Sequence, residues 1–425
     1  MSGGLSKAID LSKRALRRLA GSASILTLIS LFGFSYLVEK TQPLNLLFCT
    51  GLTTIRQNNM VGKLPKIISS SENPQVLMLG TSLSLYPMAH LDDVMKEGKT
   101  RWDSTYVRYQ ICPYSRANYL EKELSEKLDR KIKAVNASVV AAVVSDQYLI
   151  LEKYLKSGKK PELVLLFMAP RDLCANNKSQ IGKSPTFEIL SDMQNFDDLL
   201  ATKPDFASLT EFAISKVWTY AAARNDYKSI FAQAASRLTG HPVDLYTAKQ
   251  QINKGEKGEK PANIFEVDKY WEAEAVYQQP RNELKQLNDY REIYTTFSEE
   301  QFQNQKTFLE KLFKLAQDND VPVCVVNMPL TRQNYDLMQK GKYDLKRFED
   351  TVQEVASRYQ VPIVEPGKTN GYDLDDFEDC AHLNLKGGTK LFSAVADAIC
   401  SNQRIAARLT GSGVMVGAGS VPATR

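Results

Sequence analysis

The sequence predicts an α/β protein organised around a parallel, doubly wound sheet. Short apolar runs of strand length recur at residues 76–79, 133–136, 163–168, 321–326 and 362–364. Segments with helical spacing of apolar residues alternate with most of them, the pattern of βαβ units rather than of hairpins. Several runs exit into turns carrying serine, asparagine, arginine or aspartate, and in such sheets the carboxyl edge binds ligands.

At 425 residues the chain holds either one large domain with an insertion or two domains. Its 43% hydrophobic and 24% charged residues are those of a folded protein and exclude a wholly disordered chain. A formal net charge of +5 is small for this length, and aromatics do not interleave with basic residues, which argues against nucleic acid. The six cysteines form no Cys-x-x-Cys pair, and no His/Cys/Asp cluster has ligand spacing, so no metal site is expected. Cys324 reads as a small buried side chain, and a Cys112–Cys174 disulfide stays open.

Taken in order, residues 1–18 carry Lys7, Lys13, Arg14, Arg17 and Arg18 against one acid, Asp10, and residues 19–38 carry no charge. Twenty helical residues rise about 30 Å, enough to cross a bilayer. No small-x-small cleavage site follows, which favours a retained transmembrane helix over a signal peptide or a core helix. The basic flank then stays cytoplasmic and the rest of the chain faces outward, into the periplasm of a bacterium. Residues 39–74 read as a linker, in which the uncharged stretch 41–55 suits the membrane interface.

Residues 75–182 make the first half of the α/β domain. Its first strand ends in Gly80-Thr81-Ser82. A Glu- and Lys-rich helix spans 118–130, a strand and exit turn run from Lys133 to Ser138, and a helix over 139–156 stops before Gly158. The strand at 163–168 exits through Ala169-Pro170-Arg171-Asp172. Residues 183–298 break the pattern and read as a mostly helical insertion near the carboxyl edge, with helices over 208–223 and 228–238 and a polar loop at 249–260. Its Trp218, Trp271 and tyrosines either stack on sugar rings or, more simply, fill the insertion's own core. The α/β pattern returns over 299–401, with helices at 299–317, 343–359 and 384–400 around two strands and a loop at 366–383. The Gly- and Ala-rich residues 402–425 are expected to be disordered.

Ser82, just past the first strand, needs a base, and the chain has only His90, His241 and His382. His90 and His241 lie in polar surroundings and read as surface residues. His382 alone has a carboxylate at useful spacing, in Asp379-Cys380-Ala381-His382-Leu383-Asn384. Gly-x-Ser and Asp-x-x-His are each weak signals. Their placement after the first and last strands of one sheet points to Ser82 as nucleophile, His382 as base and Asp379 as the group that orients it. The bland readings are a helix cap for Ser82 and a structural ion pair for Arg171 and Asp172.

Gly80-Thr81-Ser82 and Asp379-x-x-His382 resemble the first and last blocks of the SGNH/GDSL hydrolases, over roughly residues 75–180 and 300–400. The resemblance implies a flavodoxin-like three-layer α/β/α fold, a Ser-His-Asp triad and no cofactor. Where that family has Asn-x-Gly, this chain has Asn136-Ala137-Ser138, so the Ser138 N–H is the expected oxyanion donor beside the N–H of Ser82. Where the family has Gly-x-Asn-Asp, this chain has Ala169-Pro170-Arg171-Asp172, and the Arg171 guanidinium takes the place of the amide donor. Such departures resemble membrane-anchored SGNH-like proteins that help O-acylate cell-wall or extracellular polymers. The expected function is a membrane-anchored, extracytoplasmic esterase or O-acyltransferase acting on an acyl ester, most simply acetyl, of a polysaccharide. A membrane-bound acyl-donor protein is the expected partner. The competing expectation is a non-catalytic scaffold that binds a glycan or an assembly partner through the same cleft.

Overall fold

The computed structural model describes residues 23–41, 60–100, 114–174, 181–217, 231, 234–235, 238–240, 271–272, 283–339 and 343–411. The chain forms two compact units. One comprises Met1–Arg56, Asp192–Phe196 and Pro204–Glu259; the other comprises Gln57–Ser191, Asp197–Lys203 and Lys260–Arg425.

The first unit contains the helix Ala23–Thr41, which includes residues 23–38 of the expected membrane span. Leu26, Ile29, Phe34 and Leu37 are all more than half exposed on it. Residues 19–22 of that span lie outside the described residues, and no described helix is long and apolar enough to cross a membrane. The unit also holds the amphipathic helix Phe206–Val217, where the Phe196 and Phe212 rings meet at 6.1 Å.

The second unit is the expected α/β domain. Its strands are β1 (Val76–Leu79), β2 (Ala134–Asn136), β3 (Leu163–Met168), β4 (Val323–Asn327) and β5 (Ile363–Val364). They form one all-parallel sheet in the order β2-β1-β3-β4-β5. The main helices are α1 (Ser82–Glu97), α2 (Asn118–Leu128), α3 (Val144–Lys156), α4 (Glu283–Thr295), α5 (Glu299–Asp318), α6 (Arg332–Gln339), α7 (Leu345–Arg358), α8 (Leu385–Ser401) and α9 (Gln403–Thr410). All six residues of β3 are buried, as the unbroken apolar run requires of a strand covered on both faces. Helix α8 packs on α1 and α2, and α3 packs on α5. Phe167 of β3 meets Phe392 of α8 edge-on at 5.8 Å. The chain direction reverses from β1 to β2 on one side and β3 on the other, so the switch point lies beyond Leu79 and Leu166.

Three expectations change. The helix read over 139–156 starts at Val144, because Ala141 takes a left-handed φ of 56° and the Asp146 carboxylate accepts the Val143 N–H at 3.0 Å. The tail read as disordered from residue 402 begins instead with α9, whose Ile405 and Leu409 are buried. Cys174 is buried and free, which removes the Cys112–Cys174 disulfide; Cys112 lies outside the described residues. Trp218 also lies outside them, and Trp271 belongs to a short ribbon in which Trp271–Glu272 pairs antiparallel with Lys99–Thr100.

Two glycines let α8 dock. A Cβ on Gly388 would meet the Pro87 Cβ of α1 at 2.8 Å, and one on Gly387 would overlap the Asp376 carbonyl oxygen. The Gly387 neighbour is backbone and cannot rotate away. Gly387→Ala is therefore expected to lower the unfolding free energy by about 1–3 kcal/mol, read from chemical denaturation. A variant as stable as the unaltered protein would show that this contact does not seat the helix.

Candidate active site

The site lies at the carboxyl rim of the sheet, over the switch point between β1 and β3. Thr81 caps α1, accepting the Leu83 N–H at 3.2 Å, so the cap role read for Ser82 belongs to its neighbour. Ser82 is the first residue of α1, and its hydroxyl points to His382, with Oγ 2.8 Å from Nε2. On the other side of the ring, Nδ1 is 2.7 Å from Asp379 Oδ2. The second carboxylate oxygen accepts the backbone N–H groups of Ala381 and His382, each at 2.8 Å. With Nδ1–H donating to Asp379, Nε2 is the acceptor and the Ser82 hydroxyl donates to it. The three expected residues thus form one unbroken chain.

The loop that carries Asp379 and His382 is tied down from several sides. It closes on itself through the Glu378 N–H, which donates to the His382 carbonyl at 2.9 Å. The Cys380 carbonyl accepts from Thr331 Oγ1 at 2.7 Å and from Asn334 Nδ2 at 3.4 Å. Tyr294 of α4 in turn donates to Asn334 Oδ1 at 2.8 Å. Asn384 caps α8 and binds the Asp375 carbonyl. From α1, the Tyr86 ring stacks on the His382 imidazole, centroids 4.8 Å apart and planes 23° apart.

Ser82 is 2%, His382 6% and Asp379 9% exposed, so the chain works in a nearly dry setting. Burial pushes the Asp379 carboxyl up, but the His382 charge and the N–H groups around it outweigh that and hold it below its ordinary value. Burial likewise pulls His382 down, yet the adjacent Asp379 carboxylate leaves it above 6.5. Each partner stabilises the charged form of the other.

The oxyanion donors differ from expectation. The Ser138 N–H, read as a donor, instead binds Asn136 Oδ1 at 3.1 Å, and the Ser138 hydroxyl accepts from Ser84 at 3.1 Å. That contact spends the Asn136 carbonyl and leaves its Nδ2 buried without a partner. Arg171 follows β3, beside β1, and is near enough to His382 to influence its charge. Its Nε is buried without a partner, and its distance of 4.0 Å from Asp172 Oδ1 falls short of a hydrogen-bonded ion pair. Asp172 uses Oδ2 to cap the turn, accepting the Ala169 N–H. The Arg171 guanidinium lies 5.8 Å from the centroid of buried Tyr290, whose hydroxyl interacts with it. Asn136 Nδ2 and Arg171 Nε are therefore buried donors around this rim with unused capacity.

His90, read as a surface residue, is 1% exposed, and its Nε2 lies 3.2 Å from Glu378 Oε2. His241 lies outside the described residues. Tyr86 and His90 follow Ser82 by four and eight residues, so one face of α1 meets the loop; that spacing was the available signal. Among the described residues, Glu378, Asp379 and His382 are the group whose potential ligand atoms converge, within 4.8 Å. Both ring nitrogens of His382 are already engaged by Asp379 and Ser82, so this is the geometry of a proton relay rather than of a coordination sphere.

Burial of neutral His90 has a pH signature. Desolvation lowers its pKa from 6.5 to about 4, with Asp93 opposing and His382 adding to the effect. Below 6.5 the unfolded chain takes up this proton and the folded one does not, so stability falls as the pH drops from 6.5 toward 4. The loss amounts to about 3 kcal/mol at most. His90→Gln should flatten the acid arm of stability against pH by a measurable part of this; an unchanged arm would show that His90 is protonated in the folded protein.

No curated protein matches the chain. Residues 111–388, more than half of the chain and including Asn136, Arg171, Asp379 and His382, match the family described as "Protein of unknown function (DUF1574)", and the chain belongs to that family.

Proposed function

We propose that this protein is a membrane-anchored, extracytoplasmic serine esterase or O-acyltransferase of SGNH-like, flavodoxin-like build. Its substrate is an acyl ester, most simply acetyl, of a polysaccharide. The observation that carries this reading is the Ser82–His382–Asp379 chain, held at 2.8 and 2.7 Å at the switch point of a parallel sheet. The strand order β2-β1-β3-β4-β5 supports the flavodoxin-like comparison.

In the proposed reaction Ser82 Oγ attacks the acyl carbonyl while His382 Nε2 takes its proton. Asp379 holds the ring and stabilises the imidazolium. The developing oxyanion is met by the Ser82 N–H at the start of α1, by the Arg171 guanidinium and by Asn136 Nδ2 in place of the Ser138 N–H. The oxyanion collapses, the bond to the donor oxygen breaks, and that oxygen takes the proton from His382 and leaves as the alcohol. A sugar hydroxyl or water, deprotonated by His382, then attacks the acyl-enzyme, and Ser82 recovers its proton. A sugar acceptor gives transfer, and water gives hydrolysis.

The apolar run 19–38 behind a basic segment supports an anchor with its amino terminus in the cytoplasm. The large apolar side chains exposed along Ala23–Thr41 fit a helix that meets lipid. A membrane-bound acyl-donor protein is the natural partner. The near-complete burial of Ser82 favours one other reading, a scaffold that binds a glycan without reacting.

A fluorophosphonate probe separates the two. Labelling of the folded protein that disappears in Ser82→Ala, and falls by about a thousandfold or more in His382→Ala, is expected of the enzyme. Folded protein that resists the probe would leave the scaffold.

A further inference from the structure

Glu378 and His90 form a largely buried pair that the reaction above does not use. The carboxyl Oε2 lies 3.2 Å from His90 Nε2, and the two side chains are 12% and 1% exposed. The other oxygen, Oε1, is buried and has no partner. Ligand atoms of Glu378, Asp379 and His382 lie within 4.8 Å of one another, so a second carboxyl sits against the first and beside the imidazole.

Two carboxyl groups this close do not both ionise easily, and their environments decide which one carries the charge. Asp379 has the two backbone N–H groups and the imidazole. Glu378 has only a histidine that burial keeps neutral down to about pH 4. Burial and the charge of Asp379 push the Glu378 carboxyl well above its ordinary value, with His382 opposing. The other groups that face the cluster are Asp93, near His90 on α1, and Arg171, near His382.

We propose that Glu378, pinned by His90, is a positioning residue that ties the helix bearing Ser82 to the loop bearing His382 and tunes the proton affinity of that base. The tie joins residues 288 apart in sequence, on the α1 face that carries Ser82 and Tyr86 and one turn beyond Tyr86. As pH rises, any negative charge gained by Glu378 favours the imidazolium, so His382 keeps its proton to a higher pH than beside Asp379 alone. This rests on the reading of His382 as the base for Ser82.

With only three histidines, the titration of His382 can be followed by NMR on the full chain with isotope-labelled histidine, assigned from His382→Asn. In Glu378→Gln, which keeps a hydrogen-bonding group for His90 but cannot ionise, the His382 midpoint should fall by about one pH unit. His90→Leu, which breaks the tie, should slow probe labelling of Ser82 by about tenfold, and His90→Gln should restore most of it. A midpoint in Glu378→Gln within a few tenths of the original would overturn the proposal, as would His90→Leu protein that labels at full rate. The titration needs no reaction, so an unreactive Ser82 would remove the nucleophile reading while this test still gave its answer.

Discussion

A hydroxyl that donates to a buried imidazole, itself held by a buried carboxylate, is the interaction on which the site depends. Ser82 gains nothing as a nucleophile from its position on α1 alone. In the proposed reaction it would gain reactivity from the Asp379–His382 loop, which reaches the same rim, and the 2.8 Å contact to Nε2 is the join between the two ends of the domain. Removing either partner would leave a buried charge or a buried donor uncompensated, so the three residues are coupled in stability as well as in chemistry.

The sheet makes the join possible. Parallel strands in the order β2-β1-β3-β4-β5 send the exits of β1, β2 and β3 to one edge, which places Ser82, Asn136 and Arg171 side by side. The loop from 378 to 382 is then fastened to the rim by side chains of other elements, through Thr331 and Asn334 at the Cys380 carbonyl and Tyr294 behind them. Such backbone anchoring fixes a base more tightly than packing alone, because directional bonds set the ring plane as well as its position. Asn136 Nδ2 and Arg171 Nε are unused donors near this rim, a cost that burial normally forbids and that a developing negative charge would relieve.

Much of this was legible in the sequence because it depends on local patterns. The continuous apolar runs of β1, β3 and β4 mark strands buried on both faces, and Asp-x-x-His brings its own partners together within one turn. What was not legible depends on contacts between distant residues or on side-chain orientation. Ala89-His90-Leu91-Asp92-Asp93 is polar along the chain, yet His90 is buried because Glu378 and the loop fold over it. The Ser138 N–H was a reasonable oxyanion donor until the Asn136 side chain turned back to take it, a choice that backbone spacing does not reveal. Helix α9 escaped because Ile405 and Leu409, one turn apart, are its only buried residues in a stretch that otherwise reads as a solvated tail.

In the proposed reaction Ser82 carries the acyl group between donor and acceptor. Rapid-quench mass spectrometry with an activated acetyl ester tests it most directly. A transient acetyl mass is expected on the peptide that contains Ser82, formed and lost at rates that match turnover. Ester turnover with no such adduct, or an adduct confined to another residue, would contradict it.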